Sequence, residues 1–151
     1  MKISYITMQF PVPSETFASN DVKTLKSLGI DIDVYTLKNK DKNYNNLIKS
    51  RGLEKIKIIS GDLSKNILGI FFIFKNIFLF FSLLIWLIKN DFNKFKHLIK
   101  MIALIPMSFY MFEKLKKEKP DIVHLFWGHY PSLVGYLVKK KMPDTKLSIF
   151  L

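Results

Sequence analysis

Residues 2–9, KISYITMQ, are rich in β-branched and aromatic types and predict a first strand, which Pro11 and Pro13 end. Ser14 offers a helix N-cap, and Glu15 and Thr16 suit the first turn. Phe17, Val22, Leu25 and Leu28 then share one face of a helix that closes at Gly29. Residues 30–37, IDIDVYTL, open with apolar and polar types in alternation and predict a second strand. Strand, helix and strand in close succession are the start of a parallel βαβ sheet. Residues 38–54 are polar, rich in Lys and Asn and without a clear period; they read as a loop that can hold a short helix at Tyr44–Ser50. Residues 55–60, KIKIIS, predict a third strand, which Gly61 and Asp62 end.

The pattern then changes. Residues 67–88, ILGIFFIFKNIFLFFSLLIWLI, carry Lys75 as their single charge and are apolar on every side. Such a helix is either buried in protein or placed in a membrane. Over 92–118, Phe92, Phe95, Ile99, Ile102, Ile105, Phe109, Phe112 and Leu115 keep a spacing of three to four, with lysines between them. That predicts one amphipathic helix, or two that meet near Pro106. After Pro120, DIVHLFW (121–127) predicts a fourth strand with Gly128 at its end. A short helix follows over Pro131–Lys140, then a fifth strand, KLSIFL, over 146–151. The expected class is α/β: one domain over 1–151, a Rossmann-like parallel sheet with flanking helices, including a hydrophobic and basic helical segment over 64–118. The chain stops inside its last predicted strand, so the expectation is a piece of a longer polypeptide.

Composition narrows the chemistry. The chain has 151 residues, 49% of them apolar, which excludes disordered and low-complexity classes. Without cysteine there is no disulfide framework and no thiolate metal site. Three histidines, with His97 on the distant amphipathic helix, make no ligand set, so no metal is expected. Lysine and arginine total 24 against 12 acids, a formal charge of +12, and Arg51 is the sole arginine. Lysine reads base edges poorly, and the aromatics sit in apolar runs rather than among arginines. A nucleic-acid partner is therefore not expected; an anionic membrane surface or a phosphorylated ligand suits the charge better. The apolar run after Met1-Lys2 is too short for a signal peptide, so the N-terminus reads as the start of the fold, on the cytoplasmic side.

Two segments fall where open α/β sheets bind ligands, at the carboxyl ends of strands. The first is FPVPSETFASND, residues 10–21, which opens a helix whose N-terminus favours anions. It holds no glycine and is not a dinucleotide-binding fingerprint; the plainer reading is a Pro-stiffened turn with a Ser cap. The second is VHLFWGHYPS, residues 123–132. His124 within the strand and His129 after Gly128 could each donate to a hydroxyl or phosphate. The plainer reading makes His124 a satisfied core residue and His129 a surface one.

These residues carry a resemblance. F-P-x-P-S-E-T-F-(A)-S-N-D, followed by L-x-x-x-G-I-D-I-D-V-Y-T-L over 25–37, resembles glycosyltransferase family 4, and within it bacterial enzymes of capsule, exopolysaccharide or O-antigen synthesis. K-P-D-I-V-H-L-F-W-G, residues 119–128, is similar to the family's later K-P-D-x-x-H-x-H-F-G strand; His124 keeps the first histidine, while Phe126 and Trp127 depart from the pattern. The resemblance implies the N-terminal, acceptor-side half of a GT-B fold. It also implies a retaining transfer of sugar from a nucleotide-sugar donor to a lipid-linked or polysaccharide acceptor, with no cofactor. The donor-binding C-terminal domain of that fold has no counterpart in these residues, so the chain alone is expected to be inactive. By the same resemblance Pro13, Ser14, Glu15, Thr16, Gly128 and His129 would line the acceptor side of the cleft, and His124 would act near the reacting centre.

The phenylalanine-rich segment has its own reading. Residues 67–88 could span a bilayer core of ~30 Å at ~1.5 Å per residue. A single crossing would put the strands at 2–9 and 121–127 on opposite sides of the membrane, although both belong to one sheet. A membrane-embedded or membrane-apposed segment fits better, with Phe71, Phe72, Phe74, Phe78, Trp86, Lys89, Lys94 and Lys96 as its contacts. The location expected is peripheral, on the cytoplasmic face of a bacterial inner membrane. A small integral membrane protein anchored by 67–88 is the alternative.

Overall fold

The computed structural model describes residues 1–91 and 95–150. Five strands form one all-parallel sheet: β1 (Lys2–Thr7), β2 (Asp31–Thr36), β3 (Lys57–Ser60), β4 (Ile122–Phe126) and β5 (Lys146–Phe150), in the order β3-β2-β1-β4-β5. Among the described residues six helices flank it: α1 (Thr16–Ser27), α2 (Tyr44–Arg51), α3 (Leu63–Lys75), α4 (Ile77–Asp91), α5 (Phe95–Glu118) and α6 (Ser132–Lys141). This is the Rossmann-like α/β sheet expected. The chain builds outward from β1 to β3, then returns to lay β4 against the free side of β1, pairing Tyr5 with His124 and Ile6 with Leu125. The strand order therefore reverses between β1 and β4, which is where such sheets open a crevice.

Residue alternation sorts the two faces. Ile3, Tyr5, Ile32, Val34 and Phe126 pack with Ala18 and Val22 of α1 on one face. Ile6, Val123 and Leu125 pack with Met107, Met111 and Leu115 of α5 and Val134 and Val138 of α6 on the other. Leu133 and Leu137, on the outer side of α6, join Leu79, Leu83 and Leu87 of α4, so α4 forms a further layer away from the sheet. At the amino ends of the strands, buried Asp33 takes Lys57 at 2.9 Å, and the Tyr35 hydroxyl donates to Glu118 at 2.6 Å. These contacts tie the end of α5 to β2 and β3.

Three expectations change. Helix α1 starts at Thr16 with Glu15 as its N-cap and no side-chain cap bond, so Ser14 is a turn residue. Gly29 lies one residue beyond the C-cap Leu28, at φ 78. The apolar run 67–88 is not one helix: α3 begins at Leu63, capped by Asp62, and breaks at Asn76, where α4 leaves at 103°. The physical reason lies at Asn76. Asn76 spends its side chain on Phe72 O (2.9 Å) and on Glu113 of α5 (3.1 Å), and takes a non-helical backbone at φ −127. Among the described residues no single helix is long and apolar enough to cross a membrane. The basic segment is, by contrast, one helix with Pro106 inside it. Its expected start at Phe92 lies outside the described residues, as do Lys94 and Leu151.

Candidate functional site

The loops after β1 and β4 rise side by side because those strands are neighbours. The β1 loop is held from outside. Arg51, at the end of α2, donates to Val12 O at 3.0 Å, Pro13 O at 3.1 Å, Glu15 O at 3.4 Å and the Ser19 hydroxyl at 2.8 Å. A planar guanidinium can serve these divergent acceptors at once, which an ammonium cannot. The grip fixes the backbone of residues 12–15 and leaves Pro13, Ser14 and Thr16 exposed.

Glu15 is half-buried, and burial holds its carboxyl above the usual range, against the lowering influence of the nearby Trp127 side chain. Trp127 is the residue sequence reasoning passed over. It follows β4 at φ 67, a left-handed backbone that costs a bulky residue of order 1–2 kcal/mol. Its ring meets Phe17, Phe126 and Phe150 edge-on at 6.3, 5.6 and 5.7 Å, yet the residue stays 39% exposed. The surrounding rings hold the strained backbone in place and present the indole at the crevice beside Glu15. Gly128 is half-buried, and exposed His129 stands edge-on to His97 at 6.2 Å.

His124 does not join this group. It lies mid-strand, with Phe126 one pleat nearer the crevice on the same face. Its ring tilts against Tyr5 at 5.0 Å, and Nδ1 meets the Ser148 hydroxyl at 3.1 Å. Burial lowers its pKa, partly offset by Asp21. It borders an open hollow of about 410 Å³ between α1 and the sheet, with Asp21, Thr24 and the buried Tyr5. The Tyr5 hydroxyl has no hydrogen-bond partner among the described residues. No group of three His, Asp or Glu side chains that could hold a metal ion occurs among the described residues.

The apolar segment divides. Phe71, Phe74 and Phe78 are exposed, as are Lys89 and Lys96. Phe72 and Trp86 instead pack inward, Trp86 against Tyr136 at 5.0 Å. Lys94 lies outside the described residues. Two signals in the sequence could have found the missed residues: Arg51 is the sole arginine, and Trp127 is a large aromatic directly before the glycine that ends a strand.

No protein-family model, no curated protein and no solved structure matches this chain.

Proposed function

We propose that this chain is the acceptor-side domain of a glycosyltransferase resembling family 4, holding a glycan or lipid-linked glycan at the crevice between the β1 and β4 loops. The observation that carries the reading is the pairing of Trp127 and Glu15. The C–H face of a pyranose is apolar and slightly positive, so it stacks on an electron-rich indole. A neighbouring carboxyl group accepts hydrogen bonds from the sugar hydroxyls. A tryptophan kept in a costly backbone conformation with its ring at a crevice is where function is expected to be stored.

In the full reaction an acceptor hydroxyl oxygen bonds to the anomeric carbon of a nucleotide sugar. The bond to the nucleotide phosphate breaks, and the hydroxyl proton passes to the leaving phosphate. The donor would sit largely on a second domain, so this chain alone should hold acceptor without transferring sugar. Glu15 orients acceptor hydroxyls in this reading; Pro13, Ser14, Thr16, Gly128 and His129 border the same crevice. His124 lies deeper and supports the sheet face under it. The acceptor's lipid would lie in an anionic membrane, at the cytoplasmic face of a bacterial inner membrane, where the lysine excess favours residence.

Saturation-transfer NMR with a panel of neutral oligosaccharides tests the reading. Sugar C–H protons should receive saturation from the protein, and Trp127→Ala should reduce the effect roughly tenfold, as loss of a ring contact of about 1–1.5 kcal/mol does. Glu15→Gln should weaken it less. A signal that survives Trp127→Ala, or no signal with any oligosaccharide, defeats the assignment. Sugar transfer by the chain alone, with nucleotide sugars and membrane extract, would defeat the division of labour.

A further inference from the structure

Among the described residues, the segment apolar on every side has one side with no protein partner. On α4, Leu79, Leu83 and Leu87 recur at every fourth residue and are buried against α5 and α6. Phe78, Phe81, Ile85 and Ile88 recur on the opposite side and are exposed. Helix α3 repeats this, with Leu63, Ile67, Phe71 and Phe74 outward, and α5 adds Phe95, Ile99 and Ile102. The two rings flanking the break at Asn76 are among the most exposed, Phe74 at 72% and Phe78 at 89%. Apolar surface on this scale marks a binding face rather than ordinary scatter.

We propose that the α3–α4 elbow is a monotopic membrane wedge, which enters one leaflet of an anionic bilayer with Phe74 and Phe78 and does not cross it. The inference deepens the membrane contact named above and is independent of the sugar chemistry. Length argues for one leaflet. Helices of 13 and 15 residues are about 20 and 22 Å long, short of a ~30 Å core, and their 103° bend turns the second away from the first.

Several polar groups at the break are bonded within the protein, which favours its placement near lipid. Non-helical backbone survives at membrane depth only if its groups are bonded. Asn76 N–H donates to Ile73 O at 2.9 Å, Phe80 N–H donates to Asn76 O at 3.0 Å, and the Asn76 amide is held by Phe72 O and Glu113.

Charge selects the occupant. Residues 63–112 contain six lysines and one acid, Asp91. Lys75 arches over the Phe71 ring at 4.7 Å, and Lys89, Lys96 and Lys100 are exposed around the apolar stripes. Long lysine stems cover apolar surface while their ammonium groups reach the headgroups. A second copy on this face would set those lysines against their own equivalents, whereas anionic lipid neutralises them.

The chain has no cysteine, so a single introduced thiol labels cleanly. Phe78→Cys carrying an environment-sensitive fluorophore, with Ser27→Cys on α1 as control, should be mixed with vesicles of phosphatidylcholine alone or with phosphatidylglycerol. At position 78 the emission should shift to the blue and be quenched by spin labels on acyl chains; at position 27 it should do neither. The unlabelled double variant Phe74→Ser/Phe78→Ser changes only exposed positions and should float with vesicles roughly 10²-fold less. High salt should weaken flotation without abolishing it. A probe at 78 that stays in water while the protein floats would reduce the contact to surface adsorption and overturn the wedge, though not the membrane partnership. No flotation on either vesicle would overturn both. A dimer that shields position 78 in the absence of lipid would assign the face to a second copy instead.

Discussion

Gly69→Ala separates two opposed forces at the root of the elbow. Glycine inside a helix costs about 0.5–1 kcal/mol relative to alanine, so propensity alone predicts that the substitution stabilises α3. Space predicts the reverse. A methyl group at Gly69 would lie 1.9 Å from Pro106 O, 2.5 Å from Pro106 C and 3.1 Å from Pro106 Cα. All three are backbone atoms of α5, so no side chain can swing aside. Helices α3 and α5 would have to separate by more than an ångström along a packed contact, and overpacking of that kind costs about 1–3 kcal/mol or more. The net expectation is a loss of about 1–2 kcal/mol. For a chain of this length that lowers Tm by roughly 3–8 °C. Thermal unfolding followed by circular dichroism, in the same detergent for parent and variant, measures it. Gly29→Ala is the control. There the space is open but φ is 78, so about 1 kcal/mol should be lost to backbone conformation alone. A higher Tm for Gly69→Ala would mean that propensity governs and that the close α3–α5 crossing is not what holds the elbow.

Arg51→Met keeps the length and packing of the stem but removes every donor to the β1 loop. It should cost about 1–3 kcal/mol in urea unfolding and weaken Trp127-dependent sugar binding; an unchanged urea midpoint would mean the loop holds itself. His124 tests the pH account. Burial lowers its folded pKa, so below its ordinary value of ~6.5 the unfolded chain binds more protons than the folded one. Its contribution to stability is intact above that value and falls as pH drops from ~7 to ~5. His124→Gln should therefore show a flatter Tm profile than the parent over that window, and parallel profiles would refute the assignment.

Much of the architecture was legible because it is local. Strand β1, helix α1 and strand β2 are each announced by composition and by glycine or proline stops, and a βαβ unit has one common handedness. The candidate site was legible only as two loops. Trp127 and Glu15 are far apart in the chain, and what makes them a pair is that β4 returns to lie against β1. Residues 123–132 alone do not indicate that Trp127 would be forced to positive φ while its ring stays at the surface, since two of the three rings packed against it, Phe17 and Phe150, come from elsewhere in the chain. The placement of His124 was hidden for the same reason. A strand histidine points wherever the pleat sends it, and here Phe126 takes the place nearer the crevice.

By itself the sequence determined the class of fold, the positions of the strands, the absence of thiol chemistry and the concentration of apolar residues over 67–88. These follow from short-range periodicity and from residue types, which need no partner to be read. Only the tertiary structure decided which side of that apolar segment is covered. A helix apolar all round carries no pattern to say which stripe will face protein. The answer came from where α5 and α6 lie, and from Asn76, whose side chain caps Phe72 O locally and also meets Glu113, which only the fold brings within reach. The outward stripe through Phe74 and Phe78 is what remains after the core has taken the leucines.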